Sequence, residues 1–240
     1  MLRAFSEDKV TDAEIVIRAH GAPRRTVSCS ATQIWADDGE LLGAVVAMAD
    51  ITAQRQLEQQ LRTAALHDAL TGLPNRRLLT DRLHHALQSA ARQSAQVAVL
   101  YGDLDGFKAV NDQHGHDIGD EVLVSAANRI RDHLRPGDTV ARMGGDEFVL
   151  LCTDIAGAIE ANSLAARIAE AFTEPFHCSV GSQRVGISIG VAISGSDSRP
   201  ATLLSRADQA MYHAKNARRR ASASAAPQLP PHAQRTGRQG

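Results

Sequence analysis

Carboxylates stand at two points of the sequence where a strand is predicted to end. The stretch VAVLYGDLDGFK delivers Asp103 at a strand end, and the hairpin RMGGDEF delivers Asp146 and Glu147. If the two strands are neighbours, three carboxylates meet at one edge of a sheet, where they repel one another and are costly to bury. A hard divalent cation removes that cost and keeps positions for phosphate oxygens and water. The pattern therefore predicts nucleotide transfer, in which two cations bridge phosphates and activate an attacking hydroxyl.

The segment after the first acids carries polar groups that suit a nucleotide. Lys108 can face phosphate, while Asn111 and Asp120 offer an amide and a carboxylate for the hydrogen-bonding edge of guanine. Gly115 and Gly119 allow a close approach of the backbone. Each stretch taken alone has a simpler explanation, because solvated acids at strand ends and glycine pairs in hairpin turns are common. The chain has no GxxxxGK[ST] or strand-helix GxGxxG motif, which excludes a P-loop and a Rossmann site.

Composition excludes several other classes of protein. The chain has 240 residues, 43% of them hydrophobic, which is enough for one ordinary domain and a smaller piece. With 26 basic and 27 acidic residues, charge gives no basis for binding nucleic acid or a membrane surface. The scattered Cys29, Cys152 and Cys178 indicate neither a disulfide framework nor a zinc site. The longest apolar run, 41–49, is too short to span a bilayer, and no signal peptide is recognisable, so we expect a cytoplasmic chain without a membrane segment.

The N-terminal elements are three strands and a helix. Apolar and polar residues alternate within 12–51, which predicts three strands in series with a turn at Gly39. Residues 52–66 are rich in good helix formers and predict a connecting helix. Leu57 and Leu61 fall on one stripe of it, which favours pairing with a second copy of the helix, although a lone amphipathic linker is the alternative.

The rest of the chain predicts an α/β domain followed by a disordered tail. Helices alternate with strands around an internal hairpin turn at Gly144-Gly145, which is typical of a mixed sheet flanked by helices. From residue 221 to 240 the chain lacks core-forming residues and is predicted to be disordered. The predicted helices are 76–93, 119–134, 156–172 and 200–217, and the predicted strands are 96–107, the two arms of the hairpin, 176–180 and 184–193.

Five motifs resemble, in order and spacing, those of the GGDEF family of bacterial diguanylate cyclases. They are DALTGLPNRR, DLDGFKAVNDQHGHDIGDEVL, RMGGDEF, SIGVA and LLSRADQAMYHAK, and they cover about 66–220. The resemblance implies a palm-polymerase or nucleotidyl-cyclase-like domain at 67–220 that condenses two GTP into cyclic di-GMP and releases two pyrophosphates. It also implies a homodimer, because each domain is expected to hold one GTP.

The resemblance assigns the acids to metal ions. By analogy with the family, Asp103, Asp146 and the carbonyl of Leu104 are ligands of two Mg²⁺ or Mn²⁺ ions per active site. Glu147 assists at the metal or acts as the base. The intact acids favour an active enzyme. The alternative is a degenerate module that binds GTP or cyclic di-GMP as a sensor, since degenerate copies usually lose acids from the hairpin.

The nucleotide-binding residues also follow from the resemblance. It implies that Asn111 and Asp120 hold guanine. This chain has Arg218, Arg219 and Arg220 where the family usually shows Gly-Arg-Asn, so the end of the last helix departs from the pattern. The residues implied to meet phosphate, or to let the backbone lie against the nucleotide, are Lys108, Lys215, Arg219, Gly144 and Gly145.

An RxxD pattern precedes the hairpin and matches the inhibitory product site of the family. The resemblance implies that Arg135 forks onto cyclic di-GMP and that Asp138 binds its guanine. Arg167 stands where the family often has a secondary arginine for this ligand. The alternative for the pattern is a helix end beside a Pro-Gly turn, and the alternative for Arg167 is a solvated helix residue.

The first part of the chain resembles the C-terminal half of a PAS domain. The stretch DDGELLGAVVAMADITAQRQLEQQL looks like the last hairpin, closing DIT and signalling helix of that family. The resemblance implies a partial PAS domain at 1–51 and a signalling helix or linker at 52–66, without a haem or flavin.

Overall fold

A computed structural model of the chain describes residues 9–18, 20–93, 95–195 and 198–224, with side chains up to residue 220. The chain divides into two compact units, Met1–Ala65 and Leu66–Gly240. Within the described residues, no helix is both long and apolar enough to cross a membrane.

The first unit is built on a three-stranded antiparallel sheet. Its strands β1, β2 and β3 are neighbours in that order, and the next element, α1, begins directly after β3. In this sheet Val27 is buried, whereas Trp35, Met48 and several other large apolar side chains are exposed. The three strands and the helix agree with the sequence prediction, while the PAS assignment stays a prediction. The bounds are β1 Lys9–Ile17, β2 Arg25–Trp35, β3 Leu41–Asp50 and α1 Thr52–Leu66.

The second unit confirms the predicted α/β fold. A four-stranded sheet in the order β5-β6-β4-β9 forms its centre, and a small hairpin of β7 and β8 lies apart from it. The bounds are α2 Arg76–Gln93, β4 Gln96–Asp105, α3 Phe107–His114, α4 His116–Arg131, β5 Thr139–Gly144, β6 Glu147–Ile155, α5 Ala158–Ala171, β7 Phe176–Cys178, β8 Gly181–Gln183, β9 Gly186–Ile193 and α6 Pro200–Ser224.

The central strand β4 is buried on both faces, which explains its nearly continuous apolar run. Leu100 and Leu104 point into a core formed with α3, α4 and α5, and Val99 and Tyr101 point into a second core formed with α2 and α6. Because side chains alternate along a strand, Asp103 shares the second face with Tyr101. A Cβ on Gly190 of β9 would lie 2.6 Å from the carbonyl carbon of Ala210, so only glycine lets α6 pack this closely.

The central sheet differs from the prediction in strand direction. A mixed sheet was expected, but β4 pairs antiparallel with both β6 and β9, and β5 pairs antiparallel with β6. The helices α3 and α4 lie between β4 and β5 in the chain. The hairpin of β5 and β6 then places β6 beside β4 in the antiparallel direction.

No helix was predicted between β4 and residue 119, and this was wrong. This segment forms α3 and the first turn of α4. Gly106, with φ of 84°, lets the chain turn from strand to helix, and Gly115, with φ of 85°, separates the two helices. Because glycines usually mark loops, these two residues made the helical pattern difficult to recognise in the sequence.

Three boundaries also differ from the prediction. Gly144 pairs with Glu147, so the central residues of the hairpin turn are Gly145 and Asp146 and not the two glycines. The strand predicted at 184–193 corresponds to β9, which begins at Gly186, and the short strand β8, Gly181–Gln183, was not predicted. The last helix continues to Ser224 because Ala and Arg are good helix formers and no Gly or Pro intervenes. The predicted disorder is therefore wrong for 221–224, and residues 225–240 lie outside the described part of the chain.

Candidate active site

The predicted acids meet at one end of the central sheet. Asp103 of β4 stands directly opposite Glu147 of β6, which confirms that the two strands are neighbours. Asp146 lies in the turn before β6, and its carbonyl oxygen accepts a hydrogen bond of 3.2 Å from the amide of Leu104. Asp103 is 9% exposed, so it is a buried carboxylate at the wall of the site.

Charge at these acids is only partly compensated. Burial raises the pKa of Asp146 above its ordinary value, and the negative charge of Asp103 raises it further. Asp103 itself forms an ion pair with the ammonium group of Lys215 on α6. A cation would therefore relieve repulsion at Asp146 that the side chains alone leave in place.

A divalent metal ion fits this end of the sheet as an open site. Among the described residues, no group of three or more His, Cys, Asp or Glu side chains is arranged to hold a metal. Mg²⁺, however, is usually bound through one or two carboxylates and keeps other positions for water and phosphate. Asp103 and Asp146, with the carbonyl of Leu104, would form such a set.

Asp146 lines a cavity of about 450 Å³. Of the three predicted metal ligands, Leu104 and Asp146 belong to its lining and Asp103 does not, whereas all three predicted phosphate-binding cations do. Neither Asn111 nor Asp120 belongs to its lining. The lining residues are Leu104, Asp105, Gly106, Phe107, Lys108, Asp146, Lys215, Arg218 and Arg219.

Two of the lining residues were missed in the sequence. Arg218 donates hydrogen bonds to Asp105, at 3.0 Å, and to the carbonyl oxygen of Ile187, at 2.8 Å. The hydroxyl of Ser188 also donates to Asp105, at 2.9 Å. These contacts hold the end of α6, and with it Lys215, against β4 and β9. Asp105 was visible as the second acid of DLD, but no local pattern connects it to Arg218.

The predicted guanine-binding residues lie on the two helices after β4. Asn111 is on α3, and its buried Oδ1 has no hydrogen-bond partner among the described residues. Gly119 of α4 lies against it, because a Cβ at Gly119 would overlap Oδ1 and lie 2.9 Å from Cγ of Asn111. Asp120 is the next residue of α4 and is exposed. An orphaned buried carbonyl oxygen is the kind of group that a ligand completes.

A salt bridge anchors the hairpin to the loop before α2. Arg142 of β5 contacts both carboxylate oxygens of Asp68 at 3.1 Å. Its Nε also donates to the carbonyl oxygen of Gly145 at 2.9 Å, which is in the turn that carries Asp146. Burial alone would raise the pKa of Asp68, but hydrogen bonds from Thr71 and Arg142 outweigh burial and lower it. The motif DALTGLPNRR contains Asp68, but no pattern in the sequence connects this residue to Arg142.

A tyrosine contacts Glu147 from the neighbouring strand. The hydroxyl of Tyr101 donates a hydrogen bond of 2.8 Å to Oε2 of Glu147. Burial, followed by this hydrogen bond, raises the pKa of Tyr101 above its ordinary value, so the hydroxyl keeps its proton. Tyr101 was interpreted in the sequence as part of a buried strand only.

The predicted inhibitory residues line a second cavity, of about 650 Å³. Arg135, Asp138 and Arg167 all belong to its lining, as does Glu160 of α5, which the sequence did not indicate. Arg135 forms an ion pair of 3.1 Å with Glu160 and a looser one of 3.7 Å with Asp138. Burial raises the pKa of Asp138, and its Oδ1 has no hydrogen-bond partner within the described residues. Arg167 donates to the carbonyl oxygen of His133 at 3.4 Å.

This fold and this set of residues define a nucleotidyl-cyclase-like domain, and the chain belongs to the GGDEF family. Residues 65–221 match the family described as "Diguanylate cyclase, GGDEF domain". The chain is 46% identical over 166 residues to the bifunctional diguanylate cyclase/cyclic di-GMP phosphodiesterase MucR of Pseudomonas aeruginosa. The aligned residues cover 69% of this chain and 24% of that protein. It is 45% identical over 153 residues to the diguanylate cyclase TpbB of the same species, covering 63% of this chain and 35% of that protein. The chain therefore spans about a quarter to a third of the length of these relatives.

Solved structures show the same architecture. The GGDEF domain of TpbB from Pseudomonas aeruginosa superimposes with a TM-score of 0.61 at 44% identity, covering 63% of this chain and 89% of that one. The coiled coil and GGDEF domain of DgcB from Caulobacter crescentus, in complex with c-di-GMP, gives a TM-score of 0.64 at 27% identity, covering 70% and 89%.

Proposed function

We propose that the chain is a diguanylate cyclase that condenses two GTP into cyclic di-GMP and releases two pyrophosphates. One observation carries this proposal. In a domain of the GGDEF family, Asp103, Asp146 and Glu147 converge beside a cavity that Lys108, Lys215 and Arg219 line. Carboxylates and phosphate-binding cations in one cavity suit transfer of a nucleotidyl group.

Asp103, Asp146 and the carbonyl of Leu104 would hold two Mg²⁺ or Mn²⁺ ions. When bound, these ions neutralise phosphate charge and activate the attacking hydroxyl. Lys215 is paired with Asp103, and with a nucleotide bound its ammonium group would contact phosphate instead. Lys108 and Arg219 would bind further phosphate oxygens from the other walls of the cavity.

Glu147 would accept the proton of the attacking 3′-hydroxyl. The oxygen of that hydroxyl forms a bond to the α-phosphorus of the other GTP, and the bond from that phosphorus to the bridging oxygen of pyrophosphate breaks. The same step, repeated with the two nucleotides exchanged, closes the ring. Each domain would bind one GTP, with Asn111 and Asp120 on guanine, so the reaction requires a homodimer with two domains face to face. Because the enzyme would draw on GTP of the cytoplasm, we expect the protein to be cytoplasmic.

Cyclic di-GMP would inhibit the enzyme from the second cavity. Arg135, Asp138 and Arg167 line it together. The Oδ1 of Asp138, which has no hydrogen-bond partner in the described part of the chain, is suited to accept from the N–H groups of a guanine edge. The strand β5 begins directly after Asp138 and leads to the turn that holds Asp146. A ligand bound here could therefore act on the active site without competing for GTP.

The deciding experiment is incubation of the purified chain with GTP and Mg²⁺ or Mn²⁺, followed by detection of cyclic di-GMP by mass. The matched controls are the Asp146→Asn variant and ATP in place of GTP. A site that hydrogen-bonds one base edge rejects an analogue lacking those groups by roughly 10⁴-fold, so ATP should give almost no cyclic product. GTP binding without product would instead support the sensor module.

A further inference from the structure

The hydrogen bond from Tyr101 to Glu147 joins the second core of the domain to the acid proposed as the base. Tyr101 is paired with Val149 across β4 and β6, and Asp103 is paired with Glu147. Tyr101 and Glu147 are therefore diagonal neighbours on one face of the sheet, a separation that a long aromatic side chain can bridge. The observed distance between the hydroxyl and Oε2 is 2.8 Å.

The two partners differ in how firmly the fold holds them. Tyr101 is 7% exposed, and its ring is part of the buried cluster that includes Val99, Ala141 and Val149. Packing therefore fixes the position of the hydroxyl. Glu147 is half-buried and has three rotatable side-chain bonds, so its carboxylate needs a second point of attachment to keep one orientation.

We infer that Tyr101 is a positioning residue that orients the carboxylate of Glu147 for the reaction, an inference that rests on the proposed cyclase function. The hydrogen bond engages Oε2, while Oε1 accepts none from the described residues and is left for the substrate hydroxyl. A reacting group displaced by about 1 Å can lose on the order of 10²-fold in rate, so one fixed oxygen matters for turnover.

The test compares Tyr101→Phe with Tyr212→Phe. The first substitution removes one hydroxyl and keeps the packed ring. The second removes the hydroxyl of the other tyrosine of the chain, which is 61% exposed on α6. The measurements are kcat and KM for GTP, from the mass-detected product, and the melting temperature of each variant.

We expect Tyr101→Phe to lower kcat by roughly 10- to 100-fold with KM for GTP changed by less than about twofold, because the variant loses alignment and not nucleotide binding. Tyr212→Phe should behave like the wild type. A lower melting temperature with unchanged kcat would overturn the inference, because the hydrogen bond would then only support the fold. A fall in activity that comes entirely from KM would overturn it as well. A wild-type chain that forms no cyclic di-GMP would refute the proposed function itself, which is a different result.

Discussion

Gly119 provides a selective perturbation of the proposed guanine site, because it lies against the side chain of Asn111 from another helix. A Cβ at Gly119 would overlap Oδ1 of Asn111 and lie 2.9 Å from its Cγ and 3.2 Å from Cζ of Phe107. Alanine favours a helix interior over glycine by about 1 kcal/mol, so the backbone of α4 should accept Gly119→Ala. The substitution is therefore expected to move the Asn111 side chain while the domain stays folded.

The expected loss follows from the hydrogen bonds that Asn111 would make to guanine. Two neutral hydrogen bonds contribute about 0.5–1.5 kcal/mol each, or roughly 1–3 kcal/mol together. KM for GTP should then rise by about 5- to 150-fold, since 1.4 kcal/mol corresponds to a factor of ten. The melting temperature should change little, because Oδ1 has no partner among the described residues that the substitution could take away.

The assay measures KM for GTP in Gly119→Ala, in Asn111→Ala and in the double variant. The two single variants should be similar. The double variant should be no worse than Asn111→Ala, because the atoms that would overlap the new methyl group are gone. If Gly119→Ala retains wild-type KM, or if the two losses add in the double variant, Asn111 does not bind guanine from the position seen in the structure.

Three further predictions concern charged side chains of the second unit. Asp146→Asn should abolish cyclic di-GMP formation and raise the melting temperature at pH 7 without metal. Burial and the negative charge of Asp103 raise the pKa of Asp146, so its charged form is costly in the folded protein. A variant that stays active, or that is no more stable than the wild type, would contradict this. Glu160→Gln should strengthen inhibition by cyclic di-GMP by about 1.4- to 5-fold, since the exposed ion pair that holds Arg135 contributes about 0.2–1 kcal/mol; unchanged or weaker inhibition in progress curves would argue against competition by Glu160. Asp68→Asn should lower stability at pH 7 by about 1.5–3 kcal/mol. Because the folded pKa of Asp68 lies below the ordinary 3.8, the stabilisation is present above that value and is lost as pH falls through the folded pKa, so equal losses at pH 7 and pH 3 in chemical denaturation would refute the assignment.

The sequence predicted the elements of the site better than the contacts between them. The apolar run of β4, the hairpin and the acids at their ends are local patterns, and they were sufficient to predict that Asp103 and Asp146 converge. The helix α3 was missed because glycines on both sides of it are typical of a loop. In the structure Gly106 only separates α3 from β4, and Gly115 only separates α3 from α4.

Contacts across long distances in the chain could not be predicted in this way. Arg218 is bonded to Asp105, 113 positions away, and Tyr101 is bonded to Glu147, 46 positions away. Both contacts depend on the register of paired strands and on where α6 ends, and neither leaves a period or a motif in the sequence. Glu160 was missed for the same reason, since α5 brings it to Arg135 only in the folded domain.

The pairing of β4 with its neighbours links folding accuracy to chemistry. Side chains alternate along a strand, so a slip of one position in β4 would turn Asp103 toward the apolar layer under α3, α4 and α5 and put Leu104 on the other face. A carboxylate buried without a partner is strongly unfavourable, and so the slipped chain would be unstable as well as inactive. A single-residue insertion or deletion within β4 would shift this register, so it should impair folding as well as the alignment of the acids. We therefore expect changes of chain length to be tolerated better in the connections between elements than within β4.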